Sequence, residues 1–137
     1  MRDYQRSKLY KWERVEYEWD DTILTLDQCQ QLASSIIPFV EVTDGRGRRS
    51  PCAKYSTRQI CMPRFSRTKW SVLHECAHFI ERDKHGPLFV GAYLKLLSEH
   101  YKRDIDQLKD SASEFGLDFS YYITIVSNLL PAKDKIM

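Results

Sequence analysis

Residues 68–80 read TKWSVLHECAHFI, and this stretch decides the fold. Its apolar residues surround the segment instead of lining one stripe, which indicates a helix buried on all sides. His74 and His78 are four residues apart, so one turn of about 3.6 residues places both imidazoles on the same face. Glu75 directly follows His74, although a charged side chain is unusual in a buried helix. The stretch therefore predicts a buried helix that carries a polar site.

Two histidines with this spacing and an adjacent glutamate are typical of a hydrolytic metal site. Buried imidazoles and a buried carboxylate lack partners unless a metal ion or a hydrogen-bond network satisfies them. A zinc ion held by three histidines keeps a fourth position for water, whose pKa falls to about 7. We therefore expect Zn2+ as cofactor, His74 and His78 as ligands and Glu75 as general base. Core histidines satisfied by hydrogen bonds alone are the alternative.

The third ligand has two candidates in the sequence, His85 and Glu99. If residues 86–101 form one helix, the two candidates are 14 positions apart, about 21 Å at 1.5 Å per residue. One ion cannot bind both. We favour His85, because it lies within loop reach of His78 and precedes a proline that suits the first turn of a new helix.

Four other residues near the motif are not expected to bind the metal. Glu81 and Asp83 fall where the first helix should end, and we expect them to be solvated charges. His100 lies on the apolar stripe of the following helix and is expected to pack there with one hydrogen bond. Cys76 is two residues from each histidine, so it projects from a different face of the motif helix and is expected to be a core residue.

The rest of the chain predicts several short elements around the motif helix. Leu9, Trp12, Val15 and Trp19 recur at helical spacing within a predicted helix over residues 2–18. A capping box at residues 25–28 precedes a short helix that ends before Pro38. Residues 39–42 and 53–62 have strand patterns. Further helices are predicted from Pro87 and over residues 104–115, and residues 121–126 are β-prone.

Composition limits the class of protein. The 137 residues are 42% hydrophobic and 29% charged, which predicts one globular domain spanning residues 1–137. The first residues are polar and no segment is long and apolar enough for a membrane span, so a cytoplasmic protein is expected. The four cysteines have irregular gaps and no paired motif, which favours reduced core thiols.

Basic residues are concentrated in one region. Eight lysines and arginines and no acidic residue lie within residues 46–69, although the net charge of the chain is only +2. Such a stretch could contact the phosphates of nucleic acid, and more often it is a solvated face. Nucleic acid is therefore an open partner, and the oligomeric state is open as well.

The motif resembles that of the SprT-like zinc metallopeptidases. The resemblance rests on residues 74–78 and on His85-Gly86-Pro87-Leu88-Phe89. Residues 2–10 and 60–63 are also similar to a group of small metallohydrolases of bacteria and their phages. The resemblance implies a zincin-like α+β fold, with helices packed on a small antiparallel sheet. It also implies that His85 is the third zinc ligand and Glu75 the general base.

The resemblance carries expectations about substrate binding. In zincins the edge strand before the motif helix holds an extended peptide, a role that falls here on residues 54–62. An oxyanion stabiliser is expected among Tyr55, Arg58, Tyr121 and Tyr122, which the sequence does not rank. The interval between the second and third histidines is shorter than is typical of SprT proteins, and no zinc-ribbon cysteines follow.

The expected function is that of a zinc-dependent hydrolase, most simply a metallopeptidase acting on a peptide or protein. Two alternatives stay open at this point. One is a zincin-like module without catalysis, which binds DNA or a protein partner. The other is a metal-dependent hydrolase of a non-peptide amide, because the ligands do not determine the substrate.

Overall fold

The computed structural model describes residues 3–120, which form five α-helices and a three-stranded sheet and so have the expected α+β class. The elements in chain order are α1 (Arg6–Tyr17), α2 (Leu26–Ile36), β1 (Glu41–Thr43), β2 (Cys52–Lys54), β3 (Gln59–Cys61), α3 (Lys69–Ile80), α4 (Pro87–Tyr101) and α5 (Ile105–Glu114). A short 3-10 turn at Arg64–Ser66 leads into α3.

The sheet is mixed, with strand order β1-β3-β2. β2 and β3 form an antiparallel hairpin, whereas β1 pairs with β3 in parallel, so the expected antiparallel sheet is right for one pair and wrong for the other. Residues 53–62 are two strands, not one. Arg58 has φ +54°, and its N–H donates to the carbonyl of Tyr55 at 3.2 Å, which reverses the chain between them.

Helix boundaries follow the capping residues that the sequence contains. Thr25 and Gln28 form both hydrogen bonds of the predicted capping box at the start of α2. The Thr68 hydroxyl accepts from the backbone N–H of Ser71 and begins α3. Pro87 occupies the first turn of α4, where a proline costs no hydrogen bond. The predictions for residues 25–28 and for Pro87 are confirmed.

Helix α1 buries a different face from the one predicted. Leu9 and Trp12 are fully buried as expected, but Val15 is 66% exposed and Trp19 is 68% exposed. The helix ends at Tyr17, so Trp19 lies beyond it. Glu13 and Tyr17 complete the buried face, because positions 9, 12, 13 and 17 follow the spacing of a single helical stripe.

Helices α3 and α4 pack against each other at the centre of one hydrophobic cluster. Nine of the twelve residues of α3 are buried, as the sequence predicts. Phe89, Tyr93 and Leu97 of α4 are fully buried against it. Burying each large apolar side chain stabilises the fold by about 1.5–3 kcal/mol, so the packing of α4 on α3 contributes strongly to the stability of the part of the fold that carries His74 and His78.

Residues 117–120 return to the start of α4. The N–H of Ser120 donates to the carbonyl of Pro87 at 3.0 Å. A Cβ on Gly91 would lie 1.8 Å from the Ser120 carbonyl oxygen, so only glycine permits this approach. The predicted β-prone run at residues 121–126 lies outside the described residues. Among the helices of residues 3–120, none combines the length and apolar composition that a membrane crossing requires.

Candidate metal centre

The structure brings His74, His78 and His85 together. Their ring centroids form a nearly equilateral triangle with sides of 5.1, 5.3 and 4.9 Å. One ring nitrogen of each lies within 4.8 Å of the corresponding nitrogens of the others. His74 and His85 are buried, and His78 is half-buried. This cluster could bind a metal ion.

A tight turn between α3 and α4 directs His85 into the cluster. The Asp83 carboxylate accepts from the N–H groups of Leu88 and Phe89, both at 2.9 Å, and so begins α4. The prediction that Asp83 is a solvated charge is therefore wrong. A Cβ on Gly86 would lie 2.4 Å from the Asp83 carboxylate, so the turn also depends on glycine beside His85.

Glu13 orients the His74 ring from α1. Its Oε2 atom is 2.6 Å from His74 Nδ1, and Glu13 is only 4% exposed. A carboxylate accepts hydrogen bonds and donates none, so Nδ1 carries the proton. The neutral ring then presents the lone pair of Nε2 to the centre of the cluster. The same oxygen accepts from the Tyr93 hydroxyl at 2.7 Å, which fixes the carboxylate in turn.

Asp3 orients the His85 ring in the same way. Its Oδ2 atom is 2.8 Å from His85 Nδ1, and its Oδ1 atom accepts from the backbone N–H of His85 at 3.3 Å. The His85 Nε2 lone pair is therefore also directed to the centre. Outer carboxylates of this kind fix the tautomer and the ring orientation of histidine ligands in metal sites.

His78 is held by packing instead. Its ring stacks on Phe89, with centroids 4.3 Å apart and 25° between the planes. Within residues 3–120 no carboxylate bonds to His78. Burial, together with the neighbouring His74 and His85, lowers the pKa of His78 to about 2. This imidazole is thus neutral and able to donate its lone pair at any physiological pH.

Two ring nitrogens face each other at the centre, since His74 Nε2 and His85 Nε2 are 3.3 Å apart. With a proton on each Nδ1, both atoms are acceptors, and their repulsion is relieved by a metal ion at the centre of the cluster or by a proton shared between the two rings. Burial lowers the pKa of His74. The nearby Glu13 and Glu75 together raise it by more than burial lowers it, so the pKa of His74 lies above its ordinary value. Burial lowers the pKa of His85 despite Asp3. The donor set therefore fits a divalent metal ion.

Glu75 lies beside this centre. It is 7% exposed, and its Oε2 atom is 4.0 Å from His74 Nε2. Burial raises the pKa of the Glu75 carboxyl, and the nearby Glu13 raises it further, while His74 opposes the shift. A carboxylate with a raised pKa is a better proton acceptor near neutral pH.

An open cleft of about 340 Å³ exposes the centre to solvent. The three histidines and Glu75 form its floor, and α1 contributes Arg6 and Tyr10 to one side. Strand β2 also lines the cleft, through Cys52 and Ala53. The candidate metal centre is therefore accessible from solvent.

The oxyanion candidates separate clearly. Tyr55 lines the cleft. Arg58 does not, because its guanidinium donates to the carbonyl of Pro38 at 2.7 Å and supports the turn of the hairpin. Tyr121 and Tyr122 lie outside the described residues. The expectation that residues 54–62 form an edge strand is wrong, because β3, which lies within that range, is the central strand of the sheet. The edge strand beside the cleft is β2.

The other residues weighed as ligands lie elsewhere. Glu99 is exposed and forms an ion pair with Lys95 at 3.2 Å, so it does not compete with His85. His100 is half-buried near the end of α4, and its backbone carbonyl accepts from Lys69. Cys76 is fully buried, as expected. Cys29 and Cys61 are also buried free thiols, whereas Cys52 is half-buried in the cleft wall.

Sequence reasoning missed Asp3 and Glu13. Glu13 gives a usable signal, because it is a charged residue one position after Trp12 on the helical stripe that also contains Leu9. Asp3 gives less, since it precedes α1 and no periodicity applies to it. Its place in residues 2–10, which carry part of the resemblance, is the only indication that the sequence offers.

In comparisons with known proteins, no protein-family model, curated protein or solved structure matches the chain.

Proposed function

We propose that the protein is a zinc-dependent hydrolase, most simply a metallopeptidase of the SprT-like type with a zincin-like fold. One observation carries the proposal: three histidine nitrogens converge within 4.8 Å of one another beside a buried glutamate, at the floor of an open cleft. A site with three protein ligands and access to solvent has the composition of a catalytic zinc centre, since structural centres close all four positions with protein ligands.

Zinc is the proposed metal because the three donors are imidazole nitrogens. Imidazole suits several transition metals, and a set of three histidines with an open position is common for catalytic zinc. A bound zinc ion supplies a Lewis acid that polarises a carbonyl group and makes water nucleophilic near neutral pH.

Glu75 is the proposed general base. Its raised pKa and its position beside His74 suit it to accept a proton from the attacking water. The same carboxyl then donates that proton to the leaving nitrogen, which completes hydrolysis of an amide bond. Tyr55, which lines the same cleft, is the proposed donor to the oxygen of the scissile carbonyl.

Strand β2 is the proposed binding edge for substrate. Among residues 3–120 it pairs with β3 and with no second strand, and its residues Cys52 and Ala53 line the cleft. An extended peptide laid beside an edge strand gains backbone hydrogen bonds. This arrangement favours a peptide over a small amide, although the ligands alone accept either.

The decisive experiment compares the wild type with Glu75→Gln and His85→Ala. The proteins are loaded with zinc and incubated with a mixture of unfolded proteins, and new amino termini are counted. We expect Glu75→Gln to retain zinc and lose cleavage by at least about 100-fold, the size of a general-base contribution. His85→Ala should lose zinc. Glu99→Gln, which changes an exposed acid, is the matched control.

Equal cleavage by the wild type and Glu75→Gln would refute the mechanism. If the zinc-loaded wild type fails to cut unfolded proteins, a panel of acylated amines distinguishes a hydrolase of non-peptide amides from a module that only binds. In that panel, turnover that depends on Glu75 supports the former. Its absence supports a zincin-like module without catalysis.

A second candidate function is nucleic-acid binding, and a specific surface favours it. Arg46, Arg48, Arg49 and Arg64 line a groove of about 760 Å³, and among the described residues that line it Asp44 is the sole acidic one; we call this the arginine surface. The four are exposed, and within residues 3–120 none forms an ion pair. Phe65, 84% exposed beside Arg64, could stack on a base.

The test is the affinity for a fluorescent single-stranded oligonucleotide across a salt series. Each arginine that meets a phosphate should reduce the salt slope by roughly one when replaced by alanine. Lys95→Ala, on the exposed face of α4, is the control. No binding at low salt would dismiss this candidate and leave the arginine surface as a solvated face.

A further inference from the structure

We propose that Asp3 and Glu13 are positioning residues that couple metal binding to the docking of the segment in which both lie. We call residues 3–13 the N-terminal clasp. The inference rests on the metal centre of the proposed function and does not require hydrolysis. It assigns to the clasp a role in building the centre, because two of the three candidate ligands are oriented from it.

The first step in the argument is that the clasp meets His85 at three places. Asp3 accepts from both its ring Nδ1 and its backbone N–H. Gln5, which is fully buried, donates its side-chain amide to the His85 carbonyl at 2.9 Å. The clasp therefore holds the ring, the N–H and the carbonyl of His85.

The second step concerns what holds the clasp in place. The Gln5 amide also donates to the carbonyl of Asp118 at 3.1 Å, and its oxygen accepts from the N–H of the same residue. Tyr4 donates to the Asp118 carboxylate at 3.2 Å. The beginning of the clasp thus lies between the His85 turn and residues 117–120, so a shift in either is transmitted to the His85 ring.

The third step is that the two carboxylates differ. Glu13 is buried and accepts from two donors through one oxygen, since the Tyr93 hydroxyl joins His74 there. The Asp3 side chain is 23% exposed, and within residues 3–120 its hydrogen bonds go to His85 alone. Glu13 is fixed by the core with or without a metal. Asp3 is fixed mainly by the residue that it orients.

From this difference the two roles follow. Glu13 keeps His74 in the tautomer that presents Nε2, which preorganises the centre before the metal arrives. Asp3 does the same for His85, but its bond is strengthened when a cation withdraws electron density from the ring and makes the Nδ1–H a stronger donor. A metal ion should therefore order residues 3–10 in addition to the histidines, and the clasp should in return tighten metal binding.

The experiment uses isosteric variants of the full chain, Asp3→Asn and Glu13→Gln, with zinc affinity measured by competition with a coloured chelator. Loss of an outer carboxylate typically costs 10–100-fold in metal affinity, and we expect both variants to fall in that range. Substitution with Co2+ should give an altered visible spectrum in each variant, because the ring orientation at the metal changes. Glu16→Gln is the control for a partly buried acid on the same helix that bonds to Arg103 and not to the centre.

Hydrogen exchange separates positioning from general destabilisation. Zinc should slow exchange in residues 3–10 of the wild type by at least about tenfold, and it should do so much less in Asp3→Asn. If Glu13→Gln fails to fold, Tyr93→Phe, which removes the second donor to Glu13, replaces it and should weaken zinc binding by a smaller factor.

Each outcome decides between the two proposals. Zinc binding and Co2+ spectra that are unchanged in Asp3→Asn and Glu13→Gln would overturn this inference and leave the hydrolase standing. Weakened binding in the variants, together with a wild type that hydrolyses nothing, would support the clasp and refute the hydrolase. A wild type that binds no zinc or Co2+ would refute both.

Discussion

The ring of Phe89 lies almost parallel to that of His78, with centroids 4.3 Å apart. This contact joins the first residues of α4 to the motif helix, and it replaces the carboxylate that orients each of the other two histidines. His78 therefore depends on packing for its position.

Replacing Phe89 should affect both the fold and the metal centre. Phe89 is fully buried, so Phe89→Ala should reduce the free energy of unfolding by about 3–5 kcal/mol. Phe89→Leu should cost less and still weaken zinc binding, because the His78 ring loses its flat support. Urea unfolding and chelator competition measure the two effects. Phe65→Ala, at an exposed position, should change the free energy of unfolding by less than about 0.5 kcal/mol.

Gly91→Ala should destabilise the protein, although alanine is the better helix former. Helix propensity alone predicts a gain of about 1 kcal/mol. The new Cβ would instead lie 1.8 Å from the Ser120 carbonyl oxygen and displace residues 117–120. Ser113→Ala, at an exposed position of α5, reports propensity without a clash. A stabilised Gly91→Ala would show that these residues do not pack on α4.

Protonation of His78 should lower the free energy of unfolding of the metal-free protein as the pH falls. The folded-state pKa of His78 is about 2, against 6.5 for an ordinary histidine. A depressed folded-state pKa contributes stability that is fully present above pH 6.5 and is lost as the pH falls toward 2. His74, whose pKa is raised, has the opposite sign, so its contribution is present below pH 6.5 and is lost at higher pH.

Comparison with His78→Asn isolates this effect from that of His74. The free energy of unfolding is measured by urea from pH 8 to pH 4 in the presence of a chelator. The wild-type value minus the variant value should decrease as the pH falls below 6.5. Parallel curves for the two proteins would mean that His78 is not buried as a neutral ring.

Thiol reactivity should distinguish the cysteines. Burial, and secondarily Glu75, raises the pKa of the Cys76 thiol, which is fully inaccessible. Cys52 is half-buried in the cleft wall, so it should react first with a small alkylating reagent even though burial raises its pKa too. Mass spectrometry of partially labelled protein measures the order. Labelling of Cys76 in the folded protein before Cys52 would contradict the burial of α3.

Much of the helical framework can be predicted because its signals are local. Capping residues mark the starts of α2 and α3, and the buried character of α3 is visible in its composition. The proximity of His74 and His78 follows from one helical turn. The loop after α3 is long enough for His85 to approach the other two histidines, but the sequence does not require it to do so.

The parts that could not be predicted depend on pairing between distant residues. The parallel pairing of β1 with β3 places residues 41 and 59 side by side, and no local pattern specifies that partner. Strand β2 is three residues long, too short for an alternation that would identify it as the edge. The bonds from Glu13 and Asp3 to the histidines likewise cross 61 and 82 positions of sequence.

That last separation has a consequence for how the centre is acquired during folding. His74 and His78 come together when one helix forms, an event that takes on the order of a microsecond. Asp3 reaches His85 only after about three fifths of the chain has been arranged between them, and contacts of such range form slowly. A metal ion met early in folding finds a pair of histidines, and the complete set of ligands and orienting carboxylates exists only once the native topology has been reached.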